Sequence, residues 1–206
     1  MKGAPPVFDF LMRYIEFVVT RFEFLVTGFV FEFEDMFPFE GLLQSVASPK
    51  AYSREQIQYL VSYLKRRKLK IVVLVQTFAH LEYVLKRSRF VDYREQPDNP
   101  ISICSLRRGA IELIGSMIRQ VVDAIGAQNI DLLHIGADEV FNFASCRECA
   151  LFAQQANERV LFARWVTKVL KMVRQTYPYL KIMAWDDMYR HWPGVDLMLL
   201  RIAGEN

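Results

Sequence analysis

An apolar stretch that ends in two adjacent acidic residues, Leu132–Val140, constrains the fold of this chain more than any other part of its sequence. A run of strand length that stops at Gly136 and Ala137 is typical of a buried parallel strand. The two acids, Asp138 and Glu139, would then stand at the carboxyl end of that strand. Carboxyl groups a few ångströms apart do not both ionise cheaply, so one of them becomes a usable general acid. The simpler alternative is that Asp138 caps a following helix and Glu139 lies in its first turn.

Three other segments are predicted to be strands of the same sheet, with helices between them. The strands are Gly28–Asp35, Ile71–Thr77 and Leu180–Asp187. Ser53 begins a capping box in front of the first clear helix, and Gly126 is a suitable stop for the second. The third helix is predicted to run without a break from about Leu151 to Gln175. This alternation of strand and helix requires right-handed crossovers and a parallel sheet.

Polar side chains stand at or just beyond the end of every predicted strand. Three strands end in acid pairs, and the remaining one leads within three residues to His80. The pairs are Glu34–Asp35, Asp138–Glu139 and Asp186–Asp187. The carboxyl ends of parallel strands share one rim, and a buried carboxylate costs desolvation free energy unless it is paired. These residues therefore indicate a shared ligand-binding face.

The expected fold class is α/β, as a single domain over residues 1–206 that forms an incomplete (β/α)8 TIM barrel. The chain has 206 residues, of which 52% are hydrophobic, enough for a sizeable core. Four strands do not close an eight-stranded barrel, which typically needs about 250 residues. Asp196–Arg201 is predicted to begin a fifth strand, and the first and last barrel strands are expected to be missing. At the amino end, Met1–Pro6 is predicted to be a loop and Phe8–Phe24 a helix without a clear apolar face.

Composition and motifs exclude several classes of function. A net charge of +3, from 26 basic and 23 acidic residues, is too even for a nucleic-acid surface. No apolar stretch reaches the roughly 18–20 residues of a membrane span, and no Gly-rich phosphate loop or nucleophile elbow is found. We therefore predict no nucleic-acid partner, no membrane partner and no cofactor. Three cysteines, an odd number, without a cleavable signal pattern favour a reducing compartment, and thus a cytoplasmic or nuclear location.

Cys146 and Cys149 form a CxxC pair that could be half of a zinc site. No second pair exists, and the third cysteine, Cys104, stands alone in the sequence. A redox CxxC would be expected to open a helix in a thioredoxin-like unit. Ordinary loop cysteines are therefore the preferred interpretation, and no metal ion is predicted.

His80 and Trp185 each have two interpretations. His80 could be a satisfied polar residue at the start of a helix, and Trp185 could fill the core. A Trp followed at once by Asp186 and Asp187 on a ligand rim is also typical of a sugar site. A pyranose ring offers an apolar face for stacking and hydroxyl groups for hydrogen bonds. The residues alone leave both interpretations open.

The segments that carry these residues resemble glycoside hydrolase family 20, the β-N-acetylhexosaminidases, whose signature H-x-G-x-D-E matches His134–Glu139. The similarity is greatest to a nucleocytoplasmic branch of that family, which shares four further blocks. They are Lys2–Pro6, Glu34–Pro38, Gln76–His80 and Trp185–Met188. The blocks follow the family order over nearly the whole chain. Residues 7–26 depart from the amphipathic helix that the family has at that place.

The resemblance implies a TIM barrel and a retaining hydrolysis of terminal β-linked N-acetylglucosamine or N-acetylgalactosamine. In this mechanism the acetamido carbonyl of the substrate itself is the nucleophile, an exception to the usual scheme of two carboxylates. It implies that Glu139 is the general acid and base. It implies that Asp138 orients the acetamido group and stabilises its positive charge. The substrate-binding residues that it implies are His80, Asp35, Glu34, Trp185 and Asp186.

Two other hypotheses stand beside the enzyme. One is a catalytically inactive fragment or pseudoenzyme that binds sugar or a protein partner, including a second copy of the chain in a homodimer, through open sheet edges. The other is a metal-binding module built on Cys146 and Cys149. Release of N-acetylhexosamine, oligomeric state and zinc content distinguish the three.

Overall fold

The computed structural model describes residues 5–201 of the chain, with the backbone alone for Arg201. The predicted Met1–Pro6 loop and the Lys2–Pro6 block therefore lie largely outside the described residues. Within residues 5–201 the structure is of the α/β class, as the alternating sequence pattern predicted.

Four parallel strands form the main sheet. In chain order the strands are β1 Gly28–Glu32, β2 Lys70–Leu74, β3 Arg94–Gln96, β4 Asn99–Ile103, β5 Leu132–His134 and β6 Ile182–Met183. The main sheet has the order β1-β2-β5-β6, and β3 and β4 form a separate antiparallel hairpin. Val73 of β2 pairs with Phe31 on one side and with Leu133 on the other. The predicted parallel sheet is confirmed.

Helices connect the strands and cover the core. They are α1 Phe8–Arg21, α2 Arg54–Arg66, α3 Glu82–Leu85, α4 Ala110–Ile125, α5 Arg147–Ala156, α6 Glu158–Thr176 and α7 Gly194–Arg201. Short 3-10 helices occupy Glu34–Met36, Gly41–Val46, Ser88–Tyr93 and Ala127–Asn129. Helix α4 packs between α2 and α6. None of the helices within residues 5–201 is both long enough and apolar enough to cross a bilayer.

Local hydrogen bonds fix the predicted helix ends. The Ser53 side chain accepts the Gln56 backbone N–H, and the Gln56 side chain accepts the Ser53 N–H, so the predicted capping box is present. Gly126 ends α4 with φ of 84°, a conformation that glycine adopts without a steric penalty. Both predictions are confirmed because each depends on residues within one turn.

The predicted unbroken helix over residues 151–175 is wrong. The chain turns at Asn157, whose φ is 82°, and α5 and α6 are separate helices. The Asn157 side chain accepts the Arg159 backbone N–H and thus caps the second helix. With ψ of 145°, Asn157 adopts an extended positive-φ conformation that is rare outside glycine, so the side-chain cap offsets part of a backbone cost.

Two further expectations need correction. Asp196–Arg201, predicted to begin a strand, lies in helix α7. The segment between β2 and α4, for which no strand was predicted, contains the β3–β4 hairpin, whose strands pair from Arg94 with Ile103 to Gln96 with Asn99. Strands as short as these carry too little alternation of apolar and polar residues to stand out in a sequence.

The amino-terminal segment forms the predicted helix, but the expected lack of an apolar face is wrong. Ile15 and Val19 of α1 are buried, and Phe8, Leu11 and Met12 pack beside them. These positions recur at helical spacing. The apolar face of α1 is difficult to recognise in the sequence because further aromatic residues lie on the exposed side of the helix. They are Phe10, Tyr14 and Phe17.

Candidate active site

The two acids and His80 meet at the carboxyl ends of β2 and β5. His80 Nε2 lies 3.5 Å from Asp138 Oδ2 and 3.3 Å from Glu139 Oε2. The side chain of Asp138 is 21% exposed and that of Glu139 is 55% exposed. The loops after two adjacent parallel strands thus bring a histidine and two carboxylates into one cluster, as the sequence predicted.

The backbone around this cluster has an unusual conformation. His80, Ala137 and Glu139 have φ values of 54°, 68° and 49°, in the left-handed region that residues other than glycine rarely adopt. Each such residue costs on the order of 1–3 kcal/mol, and residues of this kind concentrate at functional sites. The alternative in which Asp138 and Glu139 start a helix is excluded, because the first helix after β5 begins only at Arg147.

Gly136 makes the sharp bend between β5 and the acids. Its φ is 66°, and a methyl group at this position would overlap the side-chain oxygen of Gln76. Its backbone N–H donates to His134 Nδ1 at 2.9 Å. The Thr77 hydroxyl donates to the Ile135 carbonyl at 2.7 Å, which ties the end of β2 to the same bend. The H-x-G spacing therefore has a local structural reason.

The loop after β6 closes the cluster from the other side. Asp187 Oδ2 accepts the Glu139 backbone N–H at 2.9 Å. The Trp185 backbone N–H donates to the Gly136 carbonyl at 3.1 Å, and its ring lies 4.6 Å from the His134 ring. Trp185 remains 46% exposed, so one part of its indole is available to a ligand.

Asp186 and Asp187 differ in their contacts. Asp186 Oδ1 accepts a hydrogen bond from the Arg190 guanidinium at 2.5 Å, and its side chain is 57% exposed. Asp187, for which no role was predicted, is the acid of this pair that contacts the Glu139 backbone. The sequence block Trp185–Met188 signalled the pair, but the sequence does not say which of two adjacent carboxylates points inward.

Glu34 and Asp35 lie beyond the end of β1, on the same rim of the sheet. Glu34 has φ of 47°, another left-handed residue at a strand end. Asp35 Oδ2 lies 3.8 Å from Lys86 Nζ, just after α3. The Glu34–Met36 turn packs against α3, which follows His80 in the chain. The two acids thus stand on the rim beside the loop that carries His80.

Burial and nearby charges shift the pKa values of two side chains around the site, His134 and Tyr189. Burial lowers the pKa of His134, and the Asp138 carboxylate partly opposes this shift. Because Nδ1 accepts the Gly136 N–H, the neutral His134 carries its proton on Nε2. Burial raises the pKa of Tyr189, with smaller contributions from Asp186 and Asp187. Burial thus favours the neutral form of the His134 ring, which supports the bend at Gly136 and packs against Trp185.

Several buried polar atoms of the described residues have no hydrogen-bond partner in the protein and lie at or just after the ends of β2, β5 and β6. They are Gln76 Oε1, His80 Nε2, His134 Nε2, Asp138 Oδ1, Asn142 Nδ2 and Asp187 Oδ1. An unpaired buried polar atom costs about 1–3 kcal/mol. Their concentration beside the acid pair is what a site for a polar ligand requires. Gln76, His134 and Asn142 had no assigned role in the sequence argument, although the first two stand inside blocks it had marked.

One group of side chains within residues 5–201 has the geometry to hold a metal ion, and it lies apart from the acid pair. It consists of Glu95, Cys104, Cys146 and Cys149. The prediction that Cys104 stands alone is wrong, because the fold brings its sulfur next to Cys146. Cys146 is the N-cap of α5, so this CxxC pair does open a helix.

An α/β scaffold with paired carboxylates at its strand ends is the architecture of a TIM-barrel glycosidase. The sequence pattern of the glycosyl hydrolase family 20 catalytic domain matches residues 34–201. The chain belongs to this family. The predicted resemblance is therefore confirmed.

Two curated relatives cover nearly the whole chain. The chain is 33% identical over 197 residues to Hexosaminidase D of Homo sapiens, which covers 94% of this chain and 39% of that protein. It is 31% identical over 206 residues to Hexosaminidase D of Bos taurus, which covers 98% of this chain and 58% of that protein. The chain thus spans less than two thirds of the length of either relative.

A solved structure shares the fold. The GH20 β-N-acetylhexosaminidase of Streptomyces coelicolor A3(2) superimposes with a TM-score of 0.64 at 12% identity, covering 97% of this chain and 44% of that one. The predicted TIM-barrel class is confirmed, and the described residues contribute four adjacent parallel strands to it.

Proposed function

We propose that this site removes terminal non-reducing N-acetylhexosamine residues from β-glycosides, with retention of configuration and with the substrate's own acetamido group as nucleophile. Membership of family 20 and the names of the curated relatives support the substrate class. The observation that carries the proposal is the contact of His80 with both Asp138 and Glu139 at the carboxyl rim of the sheet.

Glu139 has the role of general acid and base in this proposal. In the first step, the acetamido carbonyl oxygen forms a bond to the anomeric carbon while the glycosidic C–O bond breaks. The Glu139 carboxyl gives its proton to the leaving oxygen. In the second step, Glu139 takes a proton from water as the water oxygen attacks the anomeric carbon and the oxazolinium ring opens. The exposure of its side chain supports this role, because both leaving group and water must reach it.

Asp138 has the role of an orienting charge. A carboxylate that accepts the acetamido N–H fixes the carbonyl oxygen for attack and stabilises the positive charge of the oxazolinium ring. Asp138 is more buried than Glu139, and its Oδ1 has no protein partner among the described residues. Both features suit a group that contacts the substrate directly.

The other predicted substrate contacts remain proposals. The exposed part of Trp185 offers an apolar surface beside the acids, and His80 Nε2 lies within 3.5 Å of a carboxyl oxygen of each of them. Glu34, Asp35 and Asp186 lie on the same rim, where hydroxyl groups of a sugar could meet them. Lys86 lies beside Asp35 and Arg190 pairs with Asp186, so a sugar would compete with these basic side chains.

Hydrolysis of a chromogenic N-acetyl-β-glucosaminide and of the matching galactosaminide tests the proposal. The assay should be run on this chain and on the full-length product of its gene. We expect release of the aglycone and its loss, by about 100- to 10,000-fold, on Glu139→Gln. Glu158→Gln, an exposed acid at the start of α6, is the matched control and should leave the rate unchanged.

Two outcomes would replace the proposal. If the full-length product is longer than this chain, activity in that product alone would assign catalysis to the larger barrel, with this chain supplying the acid pair. No hydrolysis by either protein, together with binding of N-acetylglucosamine, would favour the pseudoenzyme.

The homodimer stays a prediction, and light scattering after gel filtration measures the oligomeric state that tests it. The proposed cytoplasmic or nuclear location is supported by the three free cysteines.

A further inference from the structure

Three cysteines and one glutamate from two separate segments of the chain converge away from the acid pair. The potential ligand atoms of Glu95, Cys104, Cys146 and Cys149 all lie within 4.8 Å of one another. Glu95 belongs to β3, Cys104 follows β4, and the CxxC pair begins α5. The two halves of the cluster therefore come from a hairpin and from the first turn of a helix.

The spacing of the sulfur atoms fits a shared metal ion better than a disulfide. Cys104 Sγ lies 3.6 Å from the Sγ atoms of both Cys146 and Cys149. Two thiolates at about 2.3 Å from a tetrahedral zinc ion are about 3.8 Å apart. A disulfide would require about 2.05 Å. Cys104 is equally close to both partners, which also suits a common central ion and not one S–S bond.

Burial makes the cluster costly without a cation. Cys104 and Cys149 are fully buried and Glu95 is 1% exposed. Among residues 5–201, Glu95 has no salt bridge to a basic side chain. An ionised carboxylate out of water needs a countercharge or several hydrogen bonds. A divalent cation bound by this carboxylate and the thiolates supplies that countercharge.

The surrounding backbone is arranged as it is around thiolate ligands. Glu95 Oε1 accepts the N–H groups of Ser145 at 2.7 Å and Cys146 at 2.9 Å, so that Oε2 can serve as a ligand. Cys146 Sγ accepts the Cys149 N–H at 3.4 Å at the amino end of α5. Such hydrogen bonds orient ligands and stabilise their negative charge.

We propose that Glu95, Cys104, Cys146 and Cys149 form a structural zinc site that clamps the β3–β4 hairpin to the loop carrying the acid pair. Four protein ligands close the tetrahedron, so the ion has no open position for catalysis. This proposal replaces the sequence-based expectation of no metal ion and goes beyond the proposed hydrolase activity.

The zinc clamp also joins the two loops of the candidate active site. The hairpin is bonded to the segment before His80, because the Ile103 N–H donates to the Phe78 carbonyl at 3.0 Å. Ser102 of β4 contacts the Asn142 side chain, three residues after Glu139. Loss of zinc should therefore loosen His80 relative to Glu139. We expect kcat to fall more than KM rises, since proton transfer depends on this spacing.

The metal content of the purified full-length product tests the zinc proposal. The protein should be produced without a histidine tag and measured by inductively coupled plasma mass spectrometry. We expect zinc in equimolar amount with the chain. Replacement by Co²⁺ should produce the visible bands of tetrahedral cobalt and near-ultraviolet charge transfer from thiolate sulfur. Neither measurement needs a variant, so a misfolded mutant does not affect them.

Variants assign the ligands. Cys104→Ser and Glu95→Gln should lower zinc affinity by at least about tenfold, measured by release to a chromogenic chelator. Glu148→Gln is the matched control, because this exposed acid stands beside Cys149 but pairs with Arg107, and its zinc content should not change. Zinc well below equimolar with no cobalt charge-transfer band overturns the proposal. So does a disulfide between any two of the cysteines in the protein isolated without reductant.

Discussion

Asp187 Oδ2 accepts the backbone N–H of Glu139 at 2.9 Å, which joins the loop after β6 to the loop after β5 across the rim of the sheet. Glu139 has a left-handed backbone with φ of 49°, and this hydrogen bond helps to hold it there. The position of the proposed proton donor thus depends on a carboxylate that is 48 residues further along the chain.

Removing this acceptor should impair catalysis more than removing its neighbour. We expect Asp187→Ala to lower kcat by about 100-fold, because a shift of about 1 Å in the proton donor has an effect of that size. Asp186→Ala removes an exposed pair with Arg190 and a proposed contact to the substrate, so it should raise KM more than it lowers kcat. Steady-state kinetics of the two variants, with circular dichroism to confirm folding, checks the difference. Equal losses of kcat would contradict the assigned contacts.

The bend at Gly136 should tolerate no side chain. We expect Gly136→Ala to lower the free energy of unfolding by about 2–4 kcal/mol, from backbone strain together with the overlap with Gln76. Gly41 is the matched control, because its φ is 58° but nothing lies within 4 Å of an added methyl group. Gly41→Ala should cost only about 1–2 kcal/mol. Urea unfolding of both variants measures the difference, and equal costs would show that Gln76 does not crowd the bend.

His134 should make stability depend on pH. Burial lowers the pKa of His134 in the folded protein, so the unfolded chain takes up a proton first as the pH falls. The contribution is fully present above the unfolded pKa of about 6.5 and is lost as the pH falls through the folded value. His134→Asn keeps an acceptor for the Gly136 N–H and should flatten this dependence.

Urea unfolding at several pH values between about 5.5 and 7.5 brackets the ordinary histidine titration and measures the effect. His191→Asn, at an exposed position, is the control and should leave the slope of stability against pH unchanged. A slope that stays the same in His134→Asn would mean that other groups produce the pH dependence.

The two acids should respond differently to the leaving group. Glu139→Gln removes the proton donor of the first step and the base of the second. For a dinitrophenyl glycoside, whose leaving group departs without protonation, kcat/KM should therefore fall little while kcat falls, because the second step still needs the base. Asp138→Asn removes charge from the acetamido side and should lower kcat by about 100- to 1,000-fold for good and poor leaving groups alike. Rates for both variants with a dinitrophenyl and an alkyl glycoside check this. The same leaving-group dependence in both variants would contradict the unequal roles.

Local patterns predicted the features that local contacts decide. The capping box at Ser53, the stop at Gly126 and the parallel sheet followed from hydrogen bonds within a turn and from the alternation of strand and helix. The convergence of His80 with Asp138 and Glu139 followed from the shared rim of parallel strands. The carboxyl ends of the strands were predicted several residues too far along the chain. Strand β5 ends at His134, and the apolar residues after it form the bend.

Contacts between distant segments were beyond the sequence. Cys104 reaches the CxxC pair only because the β3–β4 hairpin folds beside α5, and that hairpin is too short to show periodicity. The break at Asn157 depends on one positive-φ residue inside a helical pattern. Which of Asp186 and Asp187 faces Glu139 depends on the path of the loop after β6, since adjacent residues carry the same charge.

The most direct test of the proposed mechanism varies the nucleophile in the substrate. Nitrophenyl β-glycosides with acetamido, fluoroacetamido, difluoroacetamido and trifluoroacetamido groups form a series in which the carbonyl oxygen becomes a progressively weaker nucleophile. Substrate assistance predicts that kcat/KM falls steeply along the series, and that the fall is shallower in Asp138→Asn. Rates that do not change along the series, with Glu139→Gln inactive towards an alkyl glycoside, would contradict the account and require a nucleophile from the protein.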